Sequence, residues 1–227
     1  MRYQAAMVLG VWLLAQAGAS AAEVSLAPLN GVRLNSQVES LLERRWKNVS
    51  RLQRDISCGS AALATILRYQ YGDTVTEPEL IKAILKRVAA KEVSRRGGFT
   101  LLDLKKVGVD LGYDVRGYKM TMEQLAKLDV PALIPVTIRG YKHFIVYRGM
   151  LKDRVIIADP SFGNTLLKAG TFEAIWQQVA LVVRKPGQED VPGKLSVADE
   201  ELVVVGEGQI NTLNRNAIQV GIGPNEF

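Results

Sequence analysis

Residues 53–67 read Q-R-D-I-S-C-G-S-A-A-L-A-T-I-L. Ser57 has the chemistry of a helix N-cap, and Ala62, Leu63, Ile66 and Leu67 follow at helical spacing. The pattern predicts a helix that opens at Ser57-Cys58 and runs to about Tyr71. Cys58 falls on its first turn. There the unpaired N–H groups and the helix dipole favour a thiolate. Gly59, directly behind, is expected to leave room for a substrate backbone.

Outward from this stretch the helical signals continue. Val38, Leu41, Leu42 and Trp46 form a stripe that predicts a helix over Gln37 to Val49. Thr76-Glu77-Pro78-Glu79 is a capping box with proline in the first turn, opening a helix through Val88. Thr100-x-x-Asp103 opens another that ends near Gly112, and Thr121-x-x-Gln124 a short one. The period then changes. Tyr113 to Tyr118, Ala132 to Ile138, His143 to Gly149, Arg154 to Ala158 and Ala180 to Arg184 read as strands, with a short helix at Thr171 to Gln177. Helices first and an antiparallel sheet afterwards imply an α+β domain. Two alternating runs, Leu202 to Val205 and Ile218 to Ile222, suggest a C-terminal hairpin.

The composition excludes several classes. The chain has 227 residues, 48% of them apolar and 23% charged, with one cysteine and one histidine. A single cysteine rules out an internal disulfide framework, and the pair is too few for a zinc site built from Cys and His. No G-x-x-x-x-G-K-[ST] or G-x-G-x-x-G segment is present, so neither nucleotide nor any other cofactor is expected. Basic residues lie scattered over helical stretches without interleaved aromatics, which argues against nucleic acid. From Pro186 to Phe227 there are seven acids and two bases, whereas 22–185 holds 26 bases and 16 acids. The opposite signs suggest that the tail lies against the main domain.

Arg2, an apolar run from Ala5 to Ala17, and the small-x-small pattern Ala19-Ser20-Ala21 have the layout of a secretory signal. The run is shorter than the about 20 apolar residues of a membrane-spanning helix, and no later stretch qualifies, so an integral membrane protein is not expected. Export to a bacterial periplasm is. An oxidising compartment gives the lone Cys58 meaning: such a thiol is either buried and inert or kept for its reactivity.

A thiol at a helix start suits nucleophilic acyl transfer if an imidazole and an orienting carboxylate join it. His143, the only histidine, starts a strand after the turn Arg139-Gly140-Tyr141-Lys142, and Asp159 ends the next strand before Pro160. A hairpin would bring the two together. Gln53, five residues before Cys58, is the candidate donor to a developing oxyanion. Each of these residues alone has a commoner structural explanation; their order along the chain is the specific signal.

The segments Gln53 to Leu67, Y-K-H-F-I-V-Y (Tyr141 to Tyr147) and I-I-A-D-P-S-F-G-N (Ile156 to Asn164) resemble the peptidase C39 family of papain-like cysteine peptidases. The resemblance covers roughly 45–185. It implies a papain-like fold with N-terminal helices packed on an antiparallel sheet. It also implies Cys58 as nucleophile, His143 as general base and acid, Asp159 as orienting residue and Gln53 as oxyanion donor. Many members carry the glutamine six residues before the cysteine, where this chain has Leu52, and an Asp immediately before it, where this chain has Ser57. The layout expected is a signal peptide at 1–21, a lead-in at 22–44, the peptidase domain at 45–185 and an acidic tail at 186–227. The membrane and ATPase parts of the family's bacteriocin exporters have no counterpart in this sequence. In that respect it is similar to free-standing exported members of bacterial functional-amyloid (Fap-type) secretion systems. That likeness implies a peptide or protein substrate, with fibril subunits or an outer-membrane export pore as partners.

Two other functions stay open on sequence grounds: a non-cleaving peptide-binding or chaperone module on the same fold, and an acyl transferase that replaces water with an amine. Gly97-Gly98 matches the double glycine after which family members cut, and self-processing there competes with an ordinary turn ahead of the Thr100 cap.

Overall fold

The computed structural model describes residues 23–25, 35–37, 40–53, 57–188 and 192–197. The signal segment and both tail runs lie outside the described residues. The chain divides into two units, one up to Leu41 and one from Leu42. In the first, β1 (Glu23–Ser25) pairs antiparallel with β2 (Asn35–Gln37). The helix expected over Gln37 to Val49 is therefore shorter. Gln37 belongs to a strand, and α1 covers Leu41–Trp46. The chain turns just beyond it, where Asn48 adopts a positive φ of 57°, a conformation asparagine tolerates better than most residues.

In the second unit α2 (Cys58–Tyr69) is the central element. Every residue from Cys58 to Leu67 is buried. A helix that is small or apolar all round belongs in an interior. Around it lie α3 (Glu77–Leu85), α4 (Ala90–Arg96) and α5 (Leu101–Asp110). There follow β3 (Asp114–Lys119), α6 (Met122–Ala126), β4 (Ala132–Ile138), β5 (Tyr141–Leu151), β6 (Arg154–Asp159), β7 (Gly163–Lys168), α7 (Ala169–Ile175) and β8 (Val179–Arg184). The last six strands form one antiparallel sheet in the order β3-β8-β4-β5-β6-β7.

Strand alternation sends side chains to two cores. Leu133, Val146, Ala158, Leu181 and Val183 join the helices α2, α3 and α5 on one face. Ile134, Ile145, Tyr147, Ile157 and Val182 pack with Phe172 and Trp176 on the other. The α+β architecture of helices packed on an antiparallel sheet is thus as expected from sequence, with both faces of the sheet covered.

Within the second unit, two elements carry no clear sequence signal. In α4 only Val93 is buried, so there is no apolar stripe to read. Its end explains Gly97-Gly98. Gly97 takes the left-handed conformation at φ 74°, and the two N–H groups return to Ser94 and Val93 carbonyls. The double glycine is a helix cap. Strand β7 begins with turn residues, Gly163-Asn164-Thr165, and exists because β6 offers it a pairing edge.

Gly59 has a different task from the one expected. A Cβ there would lie 2.8 Å from Leu104 Cδ1 and 3.1 Å from Phe144 Cδ2. Its smallness lets α5 and β5 close on α2; it does not open a channel for substrate. Gly59→Ala returns about 1 kcal/mol of helix propensity but overpacks a site where Leu104 is fully buried, at ~1–3 kcal/mol. We expect a net loss of about 1 kcal/mol in urea unfolding, and an unchanged midpoint would show that the contact has slack.

The sheet positions the site through two turns. Arg139 and Gly140 both have positive φ, 51° and 84°, and join Ile138 to Tyr141 in a tight hairpin. That register places His143 opposite Val136. Between β5 and β6 the ladder slips between Tyr147 and Gly149, a bulge that frees Arg148 from pairing. The buried Arg148 reaches the carbonyl of Leu195 from Nε (3.0 Å) and Asn164 Oδ1 from Nη1 (3.0 Å). Lys194 N–H also bonds Tyr69 O, so residues 192–197 pack back on the domain through backbone groups; the acidic residues of the tail lie outside the described residues.

Candidate active site

Three places in the fold converge: the start of α2, the start of β5 and the end of β6. The loop into α2 is tied to the turn after β6, since Leu52 N–H bonds Pro160 O at 2.9 Å. Arg45 Nε reaches Phe162 O at 2.5 Å from the other side. Gly163 makes this possible. Its φ is +82°, and a Cβ would sit 2.2 Å from the Arg45 carbonyl.

Asp159, 4% exposed, is held by its own turn. Its Oδ1 accepts N–H groups from Ser161 (2.7 Å) and Phe162 (3.3 Å), an Asx-type arrangement. The same oxygen meets His143 Nε2 at 2.9 Å. The His143 ring also interacts with Cys58. Each ring nitrogen takes one in-plane partner, so with Nε2 on Asp159 the sulfur falls to Nδ1. Tyr141 lies over the imidazole, ring centroids 6.4 Å apart. Cys58, His143 and Asp159 therefore form one buried chain of contacts, with 7% of Cys58 open to solvent.

Burial works against a charged ring here. The hydrogen bonds and charges of Asp159 and Cys58 outweigh it, and the His143 pKa is pushed up to about 10 from 6.5. An imidazolium next to sulfur is the partner a thiolate requires. Because the folded value is raised, the stability that the charged ring contributes is fully present below 6.5 and is lost as pH rises through about 10. His143 is the only histidine, so its ring resonances are unambiguous in NMR. We expect no titration step near 6.5 and a transition near 10, with unfolding free energy falling across that window; an inflection near 6.5 would contradict it.

Gln53 is placed differently. It is exposed and borders a groove with Pro78, Ile81 and Leu85 of α3. Its backbone N–H points to Glu77. Among the described residues no hydrogen bond takes its side-chain amide to Cys58 or His143. Ser57 stands at the N-cap position but makes no side-chain cap; its hydroxyl goes to Glu77. Sequence reading missed Glu77. It saw a helix start, where a glutamate at that position is ordinarily solvated, and nothing local marks this one as buried.

A model of the peptidase C39 family matches residues 46–188. The chain belongs to that family. Two relatives are named probable functional amyloid protease FapD. The chain is 38% identical to the one from Pseudomonas fluorescens over 78% of its own length and 79% of the relative's. It is 34% identical to that of Pseudomonas aeruginosa, over 81% of each. A crystal structure of a double glycine motif protease from an AMS/PCAT transporter, in complex with its leader peptide, has the same fold. Its TM-score is 0.51 at 22% identity, covering 60% of this chain and 90% of that one. As a C39 member the chain is a cysteine peptidase. Among the described residues no helix is long and apolar enough to cross a membrane.

Proposed function

We propose that this C39 peptidase is exported to the periplasm, where it cleaves extended segments of secreted polypeptides, with functional-amyloid fibril subunits as its substrate class. The N-terminal layout of Arg2, the apolar run and Ala19-Ser20-Ala21 supports export. The names of the two relatives support the substrate class.

The observation that carries the mechanism is the meeting of Cys58, His143 and Asp159 in one buried chain of contacts, with His143 Nε2 bonded to Asp159. Cys58 attacks the scissile carbonyl as thiolate, and the carbonyl oxygen becomes an oxyanion. The first-turn N–H groups of α2 have no intrahelical acceptors and no cap from Ser57, and they supply the donors. Gln53 joins them only by bringing its exposed side chain to the sulfur. His143, as imidazolium, gives its proton to the departing amine, which breaks the C–N bond and leaves an acyl-enzyme. Neutral His143 then takes a proton from water, the resulting hydroxide displaces the sulfur, and the pair is restored. Asp159 holds Nε2, so Nδ1 stays aimed at the sulfur throughout.

The test compares the N-termini of exported polypeptides from cells carrying Cys58 with those carrying Cys58→Ala. We expect N-termini, on fibril subunits foremost, that are present only with Cys58. Identical N-terminal profiles together with intact fibril export would favour a binding module. A substrate that gains mass without chain cleavage would favour the transferase.

A further inference from the structure

We propose that Glu77 is a positioning residue for attack on the carbonyl, acting through the Ser57 hydroxyl beside Cys58; this rests on the peptidase reading above. Glu77 is only 4% exposed although it is the first residue of a helix. It is not needed there as a cap. Thr76 and Glu79 close the capping box by themselves, with Thr76 N–H and Oγ each 2.8 Å from Glu79 Oε2. The Glu77 carboxylate turns away, toward the loop before α2. It accepts the Ser57 hydroxyl, and it accepts the Gln53 backbone N–H at 3.2 and 3.5 Å on its two oxygens. One buried carboxylate thus pins both ends of residues 53–57. A buried charge demands such donors, and they hold it in turn.

The consequence is local to the chemistry. A serine at an N-cap ordinarily gives its oxygen to the N–H two or three residues on, here Gly59 or Ser60. Ser57, 1% exposed with φ −109° and ψ 13°, does not. Glu77 draws that hydroxyl across, which leaves the N–H groups beside the sulfur to the charge that develops on the substrate oxygen.

Two reagents separate this role from a general one. p-Nitrophenyl acetate acylates the sulfur through an oxyanion, releasing nitrophenolate. Iodoacetamide alkylates it by displacing iodide, and no oxyanion forms. In folded Glu77→Gln we expect acylation to fall ~10- to 100-fold, less than the ~10²–10³-fold cost of removing an oxyanion donor outright because Glu77 acts through Ser57, with alkylation within about threefold of wild type. Ser57→Ala, which has no oxygen to offer those N–H groups, should keep acylation within about threefold of wild type, and added to Glu77→Gln it should restore the rate that Glu77→Gln loses. Should Glu77→Gln not fold, Glu77→Asp, which keeps the charge but shortens the reach to Ser57, carries the test. Acylation at the wild-type rate in the Glu77 variants, no recovery in the double variant, or acylation and alkylation falling together, overturns the role of Glu77 and leaves the peptidase reading intact. A wild-type protein that is alkylated but never releases nitrophenolate overturns both.

Discussion

Cys58→Ala is expected to lower peptide cleavage by on the order of 10³-fold or more, to the level of unassisted positioning. The substitution removes the sulfur while leaving the helix start in place, since alanine is the best helix former. Folding should survive, and a thermal melt within a few degrees of wild type would show it. His143→Ala should cost about as much as Cys58→Ala, and the double variant little more than either, because sulfur and imidazole act as a unit and their losses do not add. Cys58→Ser restores shape without restoring rate: a hydroxyl is a far poorer nucleophile near neutral pH. The measurement is kcat/KM on a peptide spanning a bond mapped by the N-terminal comparison. Cleavage by Cys58→Ala at the wild-type rate would remove this residue, and with it the whole chain of contacts, from the reaction.

The second large effect belongs to Asp159. Asp159→Ala takes away the acceptor at His143 Nε2 and at two backbone N–H groups of its own turn. The ring is then free to rotate, and kcat should fall ~10²-fold or more, the scale of a positioned proton carrier. Asp159→Asn keeps an oxygen in the same place but loses the charge. A charged hydrogen bond is worth roughly 1–2 kcal/mol more than a neutral one, so a loss of about tenfold is expected. Both variants remove a partner that raises the His143 pKa, so the NMR transition near 10 should move down in both. A purely structural carboxylate would lower stability and leave that transition unmoved relative to the wild type.

The elements visible in sequence share a property. The capping boxes at Thr76, Thr100 and Thr121 all close as expected, because the donor and acceptor lie three residues apart. The hairpin at Arg139-Gly140 and the alternating strands around it are likewise short-range patterns. Where such a pattern was thin, reading failed. Val93 alone does not make a stripe, and β7 starts with residues that ordinarily turn. The polar β2 residues Asn35, Ser36 and Gln37 lay beside an apolar stripe that suggested helix. The site divides the same way. Cys58, His143 and Asp159 stand at the start or end of legible elements, which is why their meeting was foreseeable. Gln53 and Glu77 face each other across a loop, and no periodicity governs which way a loop side chain turns.

The primary sequence determined the chemistry on offer, one thiol and one imidazole, and the elements that carry them, since capping and periodicity are settled by neighbours a few residues away. Tertiary structure alone decided that Gly59 admits Leu104 instead of substrate, that Gln53 borders the α3 groove, and that the Ser57 hydroxyl serves Glu77 instead of its own helix. Those choices depend on which buried polar groups meet once distant segments close, and burial makes every donor and acceptor find a partner wherever the fold brings one.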